Sequence, residues 1–150
     1  MTIPKDSYAF IDGSFNPDTY IYGCGGFLID QFGKKHIIQA IGKDPELAKM
    51  RNVAGELLGA RKAMELAKKL KMRKLTIFHD YEGIANWPNK TWKANKPATK
   101  SYVRFVSAIM AAGIELYFVH VKGHSGIAGN VEADRLAREA VGLLTNKKVA

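Results

Sequence analysis

Four of the 14 acidic residues in this chain stand where an acid is expensive. Asp12 closes the apolar run Tyr8–Ile11, and Asp80 follows the run Leu75–Phe78. Glu56 lies among Ala54, Leu57, Leu58 and Ala60, and Asp134 among Ala133, Leu136 and Ala137. A buried carboxylate without a partner costs several kcal/mol, so each of these needs a cation or a strong hydrogen-bond set. Each also has a plainer reading. Asp12-Gly13 is a good turn dipeptide, Asp80 can cap a helix starting near Tyr81, and Glu56 and Asp134 can sit at the polar edges of amphipathic helices. Taken together, two strand ends and two core-facing helices can converge on one edge of a sheet. Four clustered carboxylates repel one another unless divalent cations neutralise them. An all-oxygen set without a cysteine or histidine cluster favours Mg²⁺ or Mn²⁺ over zinc.

The elements that must position these acids follow from periodicity. Short β-rich runs at Tyr8–Ile11, Gly25–Ile29 and His36–Ile41, joined by turn signals, predict an antiparallel meander. From Glu46 to Leu70 apolar residues recur at helical spacing. Asn52, Glu56, Gly59 and Ala60 share one face of that helix, and the two small residues allow it to press on the sheet beside Asp12. A fourth strand at Leu75–Phe78, a helix over Tyr102–Ala112 closing at Gly113, a fifth strand at Ile114–Val121 and a last helix over Val131–Leu144 complete the order βββαβαβα. This predicts an α/β fold: one mixed five-stranded sheet, an antiparallel meander followed by parallel strands, flanked by helices.

The 150 residues are a prior for a single domain. With 47% hydrophobic residues the chain can bury a core, and no apolar run is long enough to span a bilayer. The first ten residues lack an apolar stretch after a basic start, so no secretion signal is expected. One cysteine, Cys24, cannot form an internal disulfide and reads as a small strand residue; it fits a reducing compartment, and a cytoplasmic location is expected. Lys and Arg number 23, giving a net charge of +9 that favours an anionic partner, most economically a nucleic acid. The segment Asn86-Trp87 to Lys96 interleaves aromatics with lysines, as a sugar–phosphate contact would require.

Ile11-Asp12-Gly13-Ser14, Asn52-Val53-Ala54-Gly55-Glu56, Asp80 after a strand, and Gly123-His124-Ser125-Gly126 with Asn130-Val131-Glu132-Ala133-Asp134 together resemble type 1 ribonuclease H. The likeness covers almost the whole chain, with 1–150 as one ribonuclease H-like catalytic domain. The run from Met50 to Glu56 with Asp80-Tyr81-Glu82-Gly83-Ile84 looks most like the branch fused to a viroplasmin-type hybrid-binding domain. The resemblance implies an endonuclease that cuts the RNA strand of RNA–DNA hybrids with two Mg²⁺ ions, Mn²⁺ as a substitute, leaving a 5′-phosphate and a 3′-hydroxyl. By motif, Asp12 would bridge both metals, Glu56 and Asp80 would complete one site, and Asp134 the other. His124 would serve proton transfer or product release from a glycine-rich loop. Asn16, Asn52, Trp87, Trp92, Lys93 and Asn130 are the implied hybrid contacts. His36, His79 and His120 have no such support and read as structural. Arg51 and Glu82 depart from the family pattern, and no basic helix separates Trp87 from Trp92. A monomer without an obligatory protein partner is expected. With no hybrid-binding domain ahead of Met1, modest affinity and a steep salt dependence are expected too.

Overall fold

In the computed structural model, residues 2–123 and 125–144 are described. Strands β1 (Tyr8–Asn16), β2 (Ile21–Ile29) and β3 (Lys35–Gly42) form the predicted antiparallel meander. Strands β4 (Lys74–His79) and β5 (Glu115–His120) then add in parallel on the other side of β1, giving the order β3-β2-β1-β4-β5. The helices are α1 (Pro45–Ala48), α2 (Asn52–Lys69), α3 (Gly83–Asn86), α4 (Pro97–Ala111) and α5 (Ala128–Ala140).

Alternation along β1 sorts the two layers. Ala9 and Ile11 point into the larger core, where Cys24, Leu28, Leu57, Met64, Tyr102 and Val106 join sheet, α2 and α4. Phe10 points the other way, stacked on Phe78 with ring centroids 4.6 Å apart and covered by Ala133 of α5. Burying one such Phe contributes about 1.5–3 kcal/mol. The smaller cluster thus seats α5 on the face of the sheet opposite α2.

Four expectations change in detail. Asp12 does not end the first strand, because Asp12-Gly13-Ser14 stays paired with Gly25, Cys24 and Gly23 and the turn comes only after Asn16. The single helix from Glu46 divides in two. Asp44 caps α1, its carboxylate accepting from the Glu46 N–H at 2.9 Å, and the chain then turns at Arg51 with φ 55° before α2 begins. Helix α4 starts five residues before Tyr102, at Pro97, where the Lys96 N–H donates to Thr99 Oγ1 at 3.1 Å and that hydroxyl donates back to the Lys96 carbonyl at 3.0 Å. Helix α5 is shifted toward the N-terminus of its predicted span, beginning at Ala128.

The β2–β3 turn carries its own acid. Asp30 accepts hydrogen bonds from Phe32 N–H (2.8 Å), Lys34 N–H (2.9 Å) and His36 Nε2 (2.9 Å). The His36 contact, followed by these backbone donors, holds the Asp30 carboxyl below the usual carboxylate value of 3.8. A depressed folded-state value contributes stability that is present above the usual value and lost as pH falls through the lowered one. The melting temperatures of wild type and Asp30→Asn should therefore differ most near neutrality and converge below about pH 4, read by thermal melts across pH. A gap that stays constant with pH would show that the Asp30 charge does not hold this turn.

Candidate active site

Beside Asp12 the sheet opens. Pairing of β1 with β4 stops at Phe10 opposite Phe78, while β1 runs on to Asn16 bonded only to β2. The strands part at the carboxyl end of β4, and ligands of α/β sheets bind where neighbouring strands diverge in this way. Asp80 is the first residue beyond β4. From the face of α2, Glu56 enters the same notch. The gap is a cavity of about 340 Å³ lined by Asp12, Asn52, Glu56, Asp80, Glu82 and Trp92, with Val53, Tyr81 and His120 beside them.

Close packing brings Glu56 so near. Gly13 on β1 faces Gly55 on α2, and a Cβ on Gly13 would lie 2.6 Å from the Gly55 carbonyl carbon and 2.7 Å from the Asn52 carbonyl oxygen. Backbone therefore rests on backbone. The approach is tightest at Gly55, one turn before Gly59, where the sequence placed it. Gly59 is also snug, 3.2 Å from Cys24 Cβ by the same measure.

The electrostatics of the notch follow from this burial. The Gly13 N–H donates to Asp12 Oδ1 at 2.9 Å and to Glu56 Oε2 at 2.7 Å. Asp12 is 8% exposed and Glu56 4%. Glu56 Oε1 is buried with no donor among the described residues. Burial pushes the Asp12 carboxyl up to about 6, against the pull of hydrogen bonds with Glu56 and Gly13, and the charges of Asp134 and Asp80 push in the same direction as burial. Burial also raises Glu56 well above its ordinary value, and the neighbouring Asp12 raises it further. The pair can share one proton, held by Glu56 and offered to Asp12. Replacing that proton by a divalent cation would satisfy both groups and complete the coordination of the bare oxygen. The donors are all carboxylate oxygens, a set suited to a hard cation. Among the described residues no three such side chains already meet at ligand distance around one point.

The other predicted residues divide. Asp134 stands on α5, outside the cavity lining, and acts on Asp12 through its charge while pairing with Arg138 at 3.4 Å. Asn130, one turn before it, is buried. Asn52 and Trp92 line the cavity, and Lys93 lies in the adjoining groove with Lys96. His124 lies outside the described residues. Two expected hybrid contacts also serve the protein's own packing. The Asn16 side chain donates to the Val141 carbonyl at 2.8 Å and accepts from the Asp18 N–H, tying the end of α5 to β1. Trp87 belongs to the main core and is packed edge-on against Trp92, 5.7 Å away, so the interleaving of aromatics with lysines marks an anchor as well as a surface. Sequence reasoning missed Val53, Tyr81 and His120 as lining residues. Tyr81 directly follows Asp80, and Val53 lies one helical turn before Glu56; that placement is the available signal.

Comparison with known proteins adds four likenesses. The family model described as RNase H matches residues 4–142. Ribonuclease H1 of Homo sapiens is 36% identical over 99 residues, which take in 59% of this chain and 34% of that protein; the chain spans about a third of the length of that relative. Ribonuclease H of Francisella philomiragia is 31% identical over 157 residues, covering 98% of each chain. Among solved structures, the crystal structure of LC11-RNase H1 in complex with RNA/DNA hybrid superposes with a TM-score of 0.72 over 89% of this chain and 95% of that one, at 21% identity, a likeness of fold.

Proposed function

The chain belongs to the RNase H family, and from that membership we propose that it is an endonuclease cutting the RNA strand of RNA–DNA hybrids with the help of divalent cations. The observation that carries the reading is Glu56 Oε1, buried with no donor among the described residues, beside Asp12 at the parting of β1 and β4. A purely structural carboxyl pair in that place would be a liability, and a substrate-binding surface without catalysis would need neither group.

The residues fit Mg²⁺, with Mn²⁺ as a substitute: Asp12, Glu56 and Asp80 would hold one ion, and Asp12 with Asp134 a second. Bound there, the ions supply an activated water and neutralise the leaving 3′-oxygen of a phosphodiester. The chain's own part is positioning. The Gly13 N–H fixes the facing oxygens of Asp12 and Glu56, so neither carboxylate must reorganise when phosphate arrives. Burial removes competing water from Glu56 and strengthens its attraction for positive charge. Arg138 holds Asp134 in a half-exposed ion pair that is weak enough to exchange for a stronger cation. Lys93, Lys96, Lys100 and Arg104 border the grooves next to the notch and present positive charge to a phosphate backbone. Asn52 and Trp92 line the approach to the reacting phosphate, where the 2′-hydroxyl distinguishes RNA from DNA. A proton-transfer role for His124 rests on the sequence motif, as does kinship to the viroplasmin-fused branch.

The test is a strand-labelled assay in Mg²⁺ with three substrates: RNA paired to DNA, the same RNA alone, and the same RNA in an RNA duplex. Cutting confined to the hybrid, with product 5′-ends that a ligase accepts, is the expected result. Equal cutting of the RNA duplex, or hybrid bound and left intact in both Mg²⁺ and Mn²⁺, would refute it.

A further inference from the structure

Asp80 sits outside any strand, yet the chain around it is pinned at three successive carbonyls. The His79 carbonyl accepts from the Val121 N–H at 2.7 Å. The Asp80 carbonyl accepts from His120 Nε2 at 2.8 Å, and the Tyr81 carbonyl from His79 Nδ1 at 3.0 Å. Since both acceptors are carbonyl oxygens, the contacting ring nitrogens must carry the protons. His79 and His120 are the last register pair of β4 and β5, with rings 5.9 Å apart. His79 is 1% exposed and packs edge-on against Phe118, whereas His120 is exposed at the cavity wall.

The need for such pinning is visible in the sheet. Beyond Phe78, strand β4 has lost β1 on one side and keeps only β5 on the other. No donor among the described residues fixes the Asp80 carboxylate itself. A Cβ on Gly123 would lie 2.7 Å from Asp80 Oδ2, so the loop backbone bounds the carboxylate without bonding it. Its aim is therefore set by its own main chain. We propose that His79 and His120 are positioning residues, which clamp the carbonyls of Tyr81 and Asp80 so that the Asp80 carboxylate is presented to the cation site shared with Asp12 and Glu56.

This inference rests on the metal-dependent reading of the notch, and its test separates the two. Calorimetric titration of the full chain with Mn²⁺ alone, without hybrid, is compared for wild type, His120→Ala and His120→Gln, with hybrid cutting measured beside it. His120 is exposed, so its variants should fold, and thermal melts check this. His120→Ala should weaken Mn²⁺ binding about tenfold, the scale seen when the supports of metal ligands are removed. Gln should restore it, because its amide N–H can reach the same carbonyl. At buried His79, His79→Asn keeps a donor near the Nδ1 position and should bind Mn²⁺ more tightly than His79→Leu. Unchanged Mn²⁺ binding in His120→Ala, or no rescue by Gln, would overturn the clamp while wild-type cutting of hybrid left the catalytic reading intact. A wild type that neither binds Mn²⁺ nor cuts hybrid would overturn both.

Discussion

Asp12→Asn should reduce cutting of an RNA–DNA hybrid by about 10³-fold or more while leaving the fold at least as stable as before. The two halves of this expectation come from the same geometry. Asp12 is the residue linked to the three other predicted acids: it lies within hydrogen-bond reach of Glu56 and feels the charges of both Asp80 and Asp134. An amide retains the shape and still accepts from the Gly13 N–H, so packing is preserved. It cannot supply the negative charge that would draw a cation between these groups. Without metal, the wild type keeps two carboxyls buried against each other, and removing one relieves repulsion and desolvation. In EDTA the variant should therefore melt at the same or a higher temperature, with a gain of up to about 2 kcal/mol. Rates are measured with saturating Mg²⁺ and the melts in EDTA. Cutting retained within tenfold would place the chemistry elsewhere, and a strongly destabilised variant would make Asp12 a structural residue.

The second large effect is on folding. Gly13→Ala should cost more than about 3 kcal/mol in urea denaturation, because the added Cβ meets main-chain atoms of α2 that cannot move aside like a flexible side chain. Gly55→Ala should cost a similar amount, its Cβ falling 2.9 Å from both Gly13 Cα and Ser14 N. Gly59→Ala is the informative contrast. Its Cβ would meet only the side chains of Cys24 and Ile11, at 3.2 and 3.3 Å, and alanine gains about 1 kcal/mol of helix propensity. That variant should stay within about 1.5 kcal/mol of wild type. If all three cost the same, α2 does not rest on β1 backbone as described, and Glu56 reaches the notch by another route.

The same contact explains what was legible in the sequence. The order of elements and the face of α2 could be read because periodicity reports which side of an element is buried. The acids stood out because carboxylates among apolar neighbours are rare without a partner. The continuation of β1 through Asp12-Gly13-Ser14 was not legible, since Asp-Gly has a strong local preference for turns. Pairing with Gly23-Cys24-Gly25 overrides that preference, and Gly13 is needed for the close approach of α2 rather than for a bend. Nor could the break between α1 and α2 be seen, as it turns on a positive φ at Arg51, a residue that seldom adopts one. Arg51 leaves its guanidinium over the Phe15 ring, 4.7 Å from the centroid, which gives this departure from the family pattern a packing role. Glu82, the other departure, does line the cavity and adds a carboxylate to its rim. That Asn16 and Trp87 are buried was not legible, because polarity and aromaticity do not reveal burial. His79 and His120 look structural, and they are bonded to main chain; what the sequence hid is that the bonded carbonyls flank an acid of the site.

The most direct test of the account is where a divalent cation sits. A crystal of the wild type grown with Mn²⁺ should show anomalous scattering within the notch, bounded by the carboxylates of Asp12, Glu56 and Asp80, and the same experiment with Asp12→Asn should lose it. Wild-type crystals with no anomalous signal there at saturating Mn²⁺, from protein that still cuts hybrid, would contradict the claim that this buried carboxylate pair is the catalytic centre.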